Sequence, residues 1–325
     1  MIIKKNMSRL QMLIYFRGGG ISAIWWRLSI FTVFSVVITT LEIHFHVEQY
    51  SLTPVPFTLL GATLGIFLAF RNNSAYDRFW EARKLWGALV NTSRSFARQS
   101  FSFIDNRALN EDAAESTKAA DGQAELDLYR FREEMVTKAV AFTRALRHRL
   151  RDSNPIDDLV QYIPANELDR LSTHRNIPTA ILHDMGQRLA EIRRRGWIHP
   201  WHAPVLEKSL VDFTDILGGC ERIKNTPIPF CYTVLTHQIV TFYCFLLPFG
   251  LIKTVGILTP FVAFLISYAF LGLDAIGDEL EQPFGLELND LPLQSLCTTI
   301  EIDLLQSLGR DDLPETPLPT NDVLS

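Results

Sequence analysis

Few residues in this chain have the types and spacing of a catalytic or metal-binding constellation. The four cysteines, Cys220, Cys231, Cys244 and Cys297, lack the close paired spacing of zinc ligands, and two of them fall inside an apolar run. They read as reduced packing thiols. His44 and His46 stand two apart and do not chelate from one helical face. His237 lies alone in an apolar run, where a histidine ordinarily hydrogen-bonds a neighbouring helix, although an ionisable group at membrane depth also marks functional sites. No nucleophile elbow, phosphate loop or zinc-hydrolase signature occurs. The sequence therefore predicts no catalytic residue, no resident metal, no cofactor and no enzyme. What remains is a pattern without reactive groups: Ala62, Ile66 and Phe70, at i, i+4 and i+8, share one helical face. Such a stripe packs against lipid or other helices, or it faces an axis along which an ion passes without being bound.

Of the 325 residues, 47% are hydrophobic and 21% charged, too apolar for an average soluble protein and too charged to lie wholly in a membrane. Spans joined to a polar portion are expected. The net charge of -5 supplies no basic field, so nucleic acid is not an expected partner. Lys4, Lys5, Arg9 and Arg17 precede any long apolar run, and no small-residue cleavage site follows the first such run. Residues 1–23 thus read as a cytoplasmic leader to a retained span.

A bilayer core about 30 Å thick takes roughly 20 apolar residues as a helix, because every backbone group must be bonded internally there. Four stretches qualify. The first runs from about Ile24 to Ile43 and opens with Trp25, Trp26 and Arg27, an interfacial aromatic and snorkelling group. The second, about Val55 to Phe70, is short and is expected to continue past Arg71 as a helix. The third, Ile228 to Leu251, and the fourth, Ile257 to Leu273, are separated by Lys253 and Gly256 and form a hairpin over 228–273. The leader is basic, the 44–54 loop carries no Lys or Arg, and the stretch from Arg71 to Lys224 is rich in both. Both termini are therefore expected on the cytoplasmic side of the plasma (inner) membrane.

The expected fold class is an all-α membrane protein, four transmembrane helices plus a cytoplasmic helical bundle over 72–227. In that bundle Phe79, Arg83, Trp86, Val90 and Ser93 follow a helical repeat, as do Met135, Ala139, Phe142, Leu146 and Leu150. Residues 105–127 are acidic, small and nearly free of large apolar side chains, and read as a mobile insert. In the C-terminal region, 274–309, Asp290 is expected to cap a helix with Pro292 in its first turn. Leu293, Leu296, Ile300 and Leu304 mark its apolar face, and Gly309 stops it. Residues 310–325 form a proline-rich, disordered tail.

Three polar stretches abut the apolar runs. FRNNSAYDRFWEARKLWG, Phe70 to Gly87, reads as a helix crossing the interface unbroken: Arg71 snorkels, Tyr76 and Trp80 stack at i,i+4, and Glu81 precedes Lys84 at i+3. GGCERIKNTPIPFCY, Gly218 to Tyr232, leads into the third span, with Pro227 and Pro229 at its first turn. GDELEQPFGLELNDLPL, Gly277 to Leu293, follows the fourth. Together they resemble the bestrophin family in its prokaryotic branch, from about Leu13 to Leu305, with only the insert and the tail outside the likeness. The resemblance implies a homopentamer around one axial pore, the second span of each subunit lining it, a wide cytoplasmic vestibule below, and passive conduction of ions, chloride by family.

On that resemblance Ala62, Ile66 and Phe70 match the hydrophobic neck, and five copies make three stacked apolar rings that bind no ion and gate by dewetting. Ala62 is smaller than the apolar residue usual there, which implies a wider outer neck. The next face, Gly61, Gly65 and Ala69, is small-xxx-small and lets a helix approach closely. Asp77, seven residues past Phe70, either forms a carboxylate ring at the vestibule entrance or pairs with a nearby arginine. A second, cytoplasmic constriction is implied, with Ile177 and Ile181 as candidates in HRNIPTAIL, where Pro178 is expected to break the helix. Animal bestrophins are gated by calcium through an acidic clasp after the last span. Here Asp274, Asp278, Glu279, Glu281, Glu287, Asn289 and Asp290 lack both a dense acidic run and the spacing of a closed calcium loop, so calcium regulation is not carried over.

Other readings stay open. The acidic balance and Asp77 suit a cation-selective (Na+/K+) channel of the same fold. A membrane-anchored interaction scaffold would use the spans only as a tether. A secondary transporter would show internal repeats and broken helices, and the second span has no proline or charge in its interior. The expected partners are other copies of the chain, permeating monovalent ions and the lipid bilayer.

Overall fold

The structure is a computed structural model that describes residues 20–45, 53–105, 118–319 and 323–324. The expectations for the leader before Gly20, for His46 and for 106–117 of the insert lie outside the described residues. Within them the chain is helical, with one isolated bridge between Ile104 and Ile198. It divides into two compact units, one running to Glu81 and including Thr226–Asp290, the other Ala82–Asn225 with Leu291 onward.

The first unit holds α1 (Gly20–Phe45), the first part of α2 (Pro54–Phe103), α8 (Phe230–Val255) and α9 (Thr259–Glu281). Three stretches are long and apolar enough to cross a membrane among the described residues: Ile24–Phe45, Pro54–Phe103 and Phe230–Glu281. The last is interrupted by a single 3-10 turn, Gly256–Leu258. Gly256 has φ +55°, a left-handed setting that glycine adopts without a steric penalty, and it ends α8 while its N–H bonds the Ile252 carbonyl. At 50 residues α2 is unbroken, and at roughly 1.5 Å per residue it spans about 75 Å, far more than a bilayer core requires.

Contacts in this unit are set by small residues opposite large ones. Ile24 and Leu28 of α1, Phe57, Leu64 and Leu68 of α2, Val240, Tyr243 and Leu247 of α8, and Ala263 and Leu271 of α9 form one buried cluster. A Cβ built on Gly250 would lie 2.4 Å from the Phe57 ring, and one on Gly61 would lie 2.6 Å from the Tyr243 hydroxyl. Trp26 is exposed as an interfacial residue would be, while Arg27 donates to Thr241 Oγ1 at 3.4 Å.

The second unit contains the rest of α2, α3 (Lys118–Leu150), α4 (Ile156–Leu159), α5 (Ala165–Ser172), α6 (Ile177–Arg194), α7 (Ala203–Asn225) and α10 (Leu293–Ser307). Phe213 meets Phe96 and Phe142 edge to face, with centroids 5.8 and 5.2 Å apart. Met135, Ala139, Phe142, Leu146 and Leu150 are all buried, as their periodicity predicts. On α2 the buried face is instead Ala82, Trp86, Leu89, Ser93 and Phe96, and Arg83 is exposed. Both sets alternate fours and threes and share Trp86 and Ser93, but at about 100° per residue the buried face is turned by about 60° from the expected one.

Two boundaries differ from expectation. The insert expected over 105–127 is helical from Lys118, because KAADGQAELD is rich in Ala, Glu, Lys and Gln, which outweigh one glycine. Asp290 does not cap α10. Its Oδ2 accepts the Glu287 N–H at 2.7 Å, closing its own loop, and Pro292 precedes the helix without a side-chain cap. Leu293, Ile300 and Leu304 are buried, and Gly309, with φ +74°, follows the helix end. Residues 310–319 have no regular structure, although Arg310 pairs with Glu133 at 2.5 Å.

A buried polar network ties α3, α4 and α10 together. Arg144 reaches Asp158 Oδ1 at 2.8 Å and also pairs with Glu301, which accepts the Tyr162 hydroxyl. Burial is the largest single influence and opposes the Arg144 charge, but the Glu301 hydrogen bond and the charges of Glu301 and Asp158 together outweigh it and hold the guanidinium above its ordinary range. Burial pushes Asp158 up, and the charges and hydrogen bonds of Arg144, Arg147 and His148 together more than reverse this, leaving the carboxyl below its ordinary value. Glu134, bonded to Arg188 and Lys138, is depressed in the same way. A depressed carboxyl stabilises the fold above its unfolded pKa, and that contribution is lost as pH falls through the folded value. The denaturation midpoint of the detergent-solubilised protein should therefore drop as pH falls below about 4. The drop should be shallower in Arg144→Met, which removes the main partner of Asp158.

Candidate functional site

Within the first unit α2 has two faces of different character. Phe57, Leu64, Leu68, Arg71 and Ala75, spaced by seven, four, three and four, are buried. Ala62, Ile66 and Phe70 point the other way, with Ile66 58% and Phe70 64% exposed. At about 100° per residue, positions 62, 66, 70, 73 and 77 fall within an arc of roughly 80°. The stripe is thus continuous with Asn73 and Asp77, both exposed. Asp77 makes no ion pair among the described residues, so the arginine pairing considered for it is not formed there. Of the small face, Gly61 meets Tyr243, no atom lies within 4 Å of a Cβ built on Gly65, and Ala69 is exposed.

The residue after Phe70 faces inward. Arg71 was expected to snorkel toward the interface and is instead buried. Its Nη1 donates to Asp274 Oδ1 at 2.7 Å, its Nη2 donates to Asp278, and Glu281 stands 3.9 Å away. Asn72 Nδ2 donates to the Leu273 carbonyl at 3.0 Å. Gly277 makes room, since a Cβ there would sit 2.5 Å from Asn72 Oδ1 and 3.5 Å from Arg71 Cζ. His237 of α8 completes the cluster, with Nδ1 2.5 Å from Asp274 Oδ2 and Nε2 3.4 Å from Asp278 Oδ2. One arginine and one histidine from two helices therefore meet two carboxylates from a third.

The acidic residues in the last turns of α9 and in the loop after it are engaged in contacts of this kind. Asp274, Asp278 and Glu281 face Arg71, Glu279 accepts from Asn289 at 2.8 Å, and Asp290 closes the 287–290 loop. His237, Asp274 and Asp278 have ligating atoms within 4.8 Å of one another, but Arg71 already supplies a cation to both carboxylates. The sequence did carry a signal for this site: Asp274, Asp278 and Glu281, at i, i+4 and i+7, lie on one helical face opposite the only arginine at the end of the second apolar run.

In the second unit the two constriction candidates separate. Ile181 is 1% exposed and part of the core, so it lines no surface. Ile177 is half-buried at the start of α6, beside a cavity of about 270 Å³ that it lines with His148, Arg149 and Arg175. Pro178 does not break a helix there. It occupies the first turn, where a missing N–H leaves no bond unmade, and Asn176 caps the helix by accepting the Thr179 N–H at 3.3 Å.

This all-helical arrangement has known counterparts. The model of the family described as Bacterial/Fungal Bestrophin protein matches residues 1–306. The chain is 39% identical to a voltage-dependent anion channel-forming protein of Mesorhizobium japonicum, covering 98% of this chain and 95% of that one. It is 37% identical to the voltage-dependent anion channel-forming protein YneE of Escherichia coli K12, covering 98% of each. The crystal structure of a bacterial bestrophin homologue from Klebsiella pneumoniae is similar with a TM-score of 0.78 at 33% identity, over 88% of this chain and 99% of that one. The chain belongs to the bestrophin family.

Removing Arg71 would leave Asp274 buried without its cation. Arg71→Ala should destabilise the detergent-solubilised protein by about 3–5 kcal/mol, and Gly277→Ala, which crowds Asn72, by about 1–3 kcal/mol. Thermal unfolding of the two variants beside the parent measures both.

Proposed function

We propose that this chain is one subunit of a homopentameric ion channel in the plasma (inner) membrane, conducting monovalent ions passively through an apolar neck. The observation that carries the reading is the exposed stripe of Ala62, Ile66 and Phe70 on the face of α2 opposite its buried one. Membrane-depth apolar side chains of this size are ordinarily covered by lipid or protein. A five-fold axis would instead bring five copies together as stacked rings, wide at Ala62 and narrowest at the larger side chains. The open small face at Gly65 and Ala69 gives a neighbouring copy room for close approach. α8, at 26 residues, and α9, at 23, are each long enough to be a separate pass, which makes four passes with both termini cytoplasmic. Ile177 is the remaining candidate for a second constriction. Conduction of this kind uses no cofactor, and calcium control is not part of the proposal.

Anions are the proposed cargo because similar proteins are named as anion channel-forming. The unpaired Asp77 on the same stripe favours the second reading, a cation-selective pore, since five such carboxylates below the neck would concentrate cations. The test is single-channel recording in planar bilayers under asymmetric NaCl. Ile66→Ala and Phe70→Ala should each raise the unitary current by widening the neck. The sign of the reversal potential separates anion from cation selectivity, and Asp77→Asn should move it toward anions. No current from the parent or from either neck variant would overturn the channel and leave a membrane-anchored scaffold.

A further inference from the structure

We propose that Arg71 is the positioning residue of the neck and that His237 makes this positioning responsive to protons; the proposal rests on the channel reading above. Phe70 and Arg71 are adjacent, so they stand about 100° apart around α2. Whatever holds the guanidinium also sets the direction in which the phenyl ring points. Arg71 is held from one side only, by the α9 carboxylates Asp274 and Asp278, with Glu281 at 3.9 Å. The absence of a side chain on Gly277 lets α2 and α9 approach closely enough for this contact. The anchor is rigid because the guanidinium fork, unlike an ammonium, fixes both distance and direction to its acceptors.

His237 is the group in this cluster whose ordinary titration range lies closest to neutral pH. Its two ring nitrogens face two carboxylate oxygens, Nδ1 toward Asp274 and Nε2 toward Asp278. An ionised carboxylate only accepts, and a neutral imidazole carries one N–H, so only the imidazolium donates in both directions. The charges then balance, with Arg71 and His237 against Asp274 and Asp278. Loss of the proton turns one nitrogen lone pair toward a carboxylate oxygen and leaves Arg71 alone to neutralise both acids. The groups that face His237 are Asp274 and Asp278 from α9; Arg71 from α2 holds the same two carboxylates with Glu281 3.9 Å from it, and Arg27 from α1 is bonded to Thr241, four residues along α8. As pH rises the latch loosens, α2 gains rotational freedom, and Ile66 and Phe70 leave their common direction.

The experiment is bilayer recording with cytoplasmic pH stepped from 6 to 10.5, paired with thermal melting of the detergent-solubilised protein over the same range. In the parent, unitary current and melting temperature should both change along a single titration as pH rises, with the melting temperature falling. His237→Gln, which cannot change charge, should flatten both profiles. Asp278→Asn keeps the Arg71–Asp274 pair and should move the midpoint to lower pH, because the imidazolium loses one of its two acceptors. A parent with pH-independent current and melting, or a His237→Gln variant that tracks the parent, would overturn the proposal. If the parent conducts nothing, the channel reading fails, while the melting profiles still decide whether His237 operates the latch.

Discussion

The constraint on which the first unit depends is a single positive charge taken out of water at the end of an apolar helix segment. An unpaired guanidinium in such a place would cost several kcal/mol, so Arg71 must find anionic partners, and it finds them on one helix. That requirement fixes which side of α2 faces α9, leaves no room for a side chain at Gly277, and brings His237 against the same two acids. Leu64 and Leu68 then lie buried on the same side as the arginine. The outward direction of the apolar stripe is a consequence of these packing demands, and Ile66 and Phe70 remain largely exposed.

The second unit solves a related problem in another way. Its polar network of Arg144, Asp158, Tyr162 and Glu301 is surrounded by a conventional aromatic core, and the arginine stacks over the Tyr162 ring at 5.4 Å as well as bonding two acids. Cys297, fully enclosed nearby on α10, has its thiol pushed up to about 12 by burial, so it behaves as a packing group and not as a nucleophile. Such a network specifies which helices meet, because Arg144 on α3 has both its acids only when α4 and α10 are in place beside it.

Much of this was legible in the sequence where a local rule acted alone. The helices of the first unit followed from hydropathy, the buried face of α3 from its periodicity, and the end of α10 from Gly309. The stripe on α2 was legible as a pattern, and its outward exposure agrees with the two-faced helix. The errors came where a tertiary partner overrode a local preference. Arg71 looks like a snorkelling residue until Asp274 and Asp278, some 200 positions away in sequence, are brought beside it. Asp290 has the type and position of a helix cap, yet the tighter loop at Glu287 takes its side chain. Pro178 reads as a breaker in an unaligned string, but with Asn176 ahead of it the same residue opens a helix. Ile177 and Ile181 were indistinguishable by type, and only burial separated them.

The adjacency of Phe70 and Arg71 places an unusual demand on how this helix can vary over evolutionary time. Replacing a stripe residue changes the width of a surface and leaves the fold alone, so such changes are tolerated one at a time. Inserting or deleting one residue between Leu68 and Arg71 would turn everything on one side of the change by about 100°. It would carry a guanidinium toward the exposed face or a phenyl ring into the acidic cluster, and no compensating substitution nearby could restore both. The segment should therefore drift in composition while its length stays frozen.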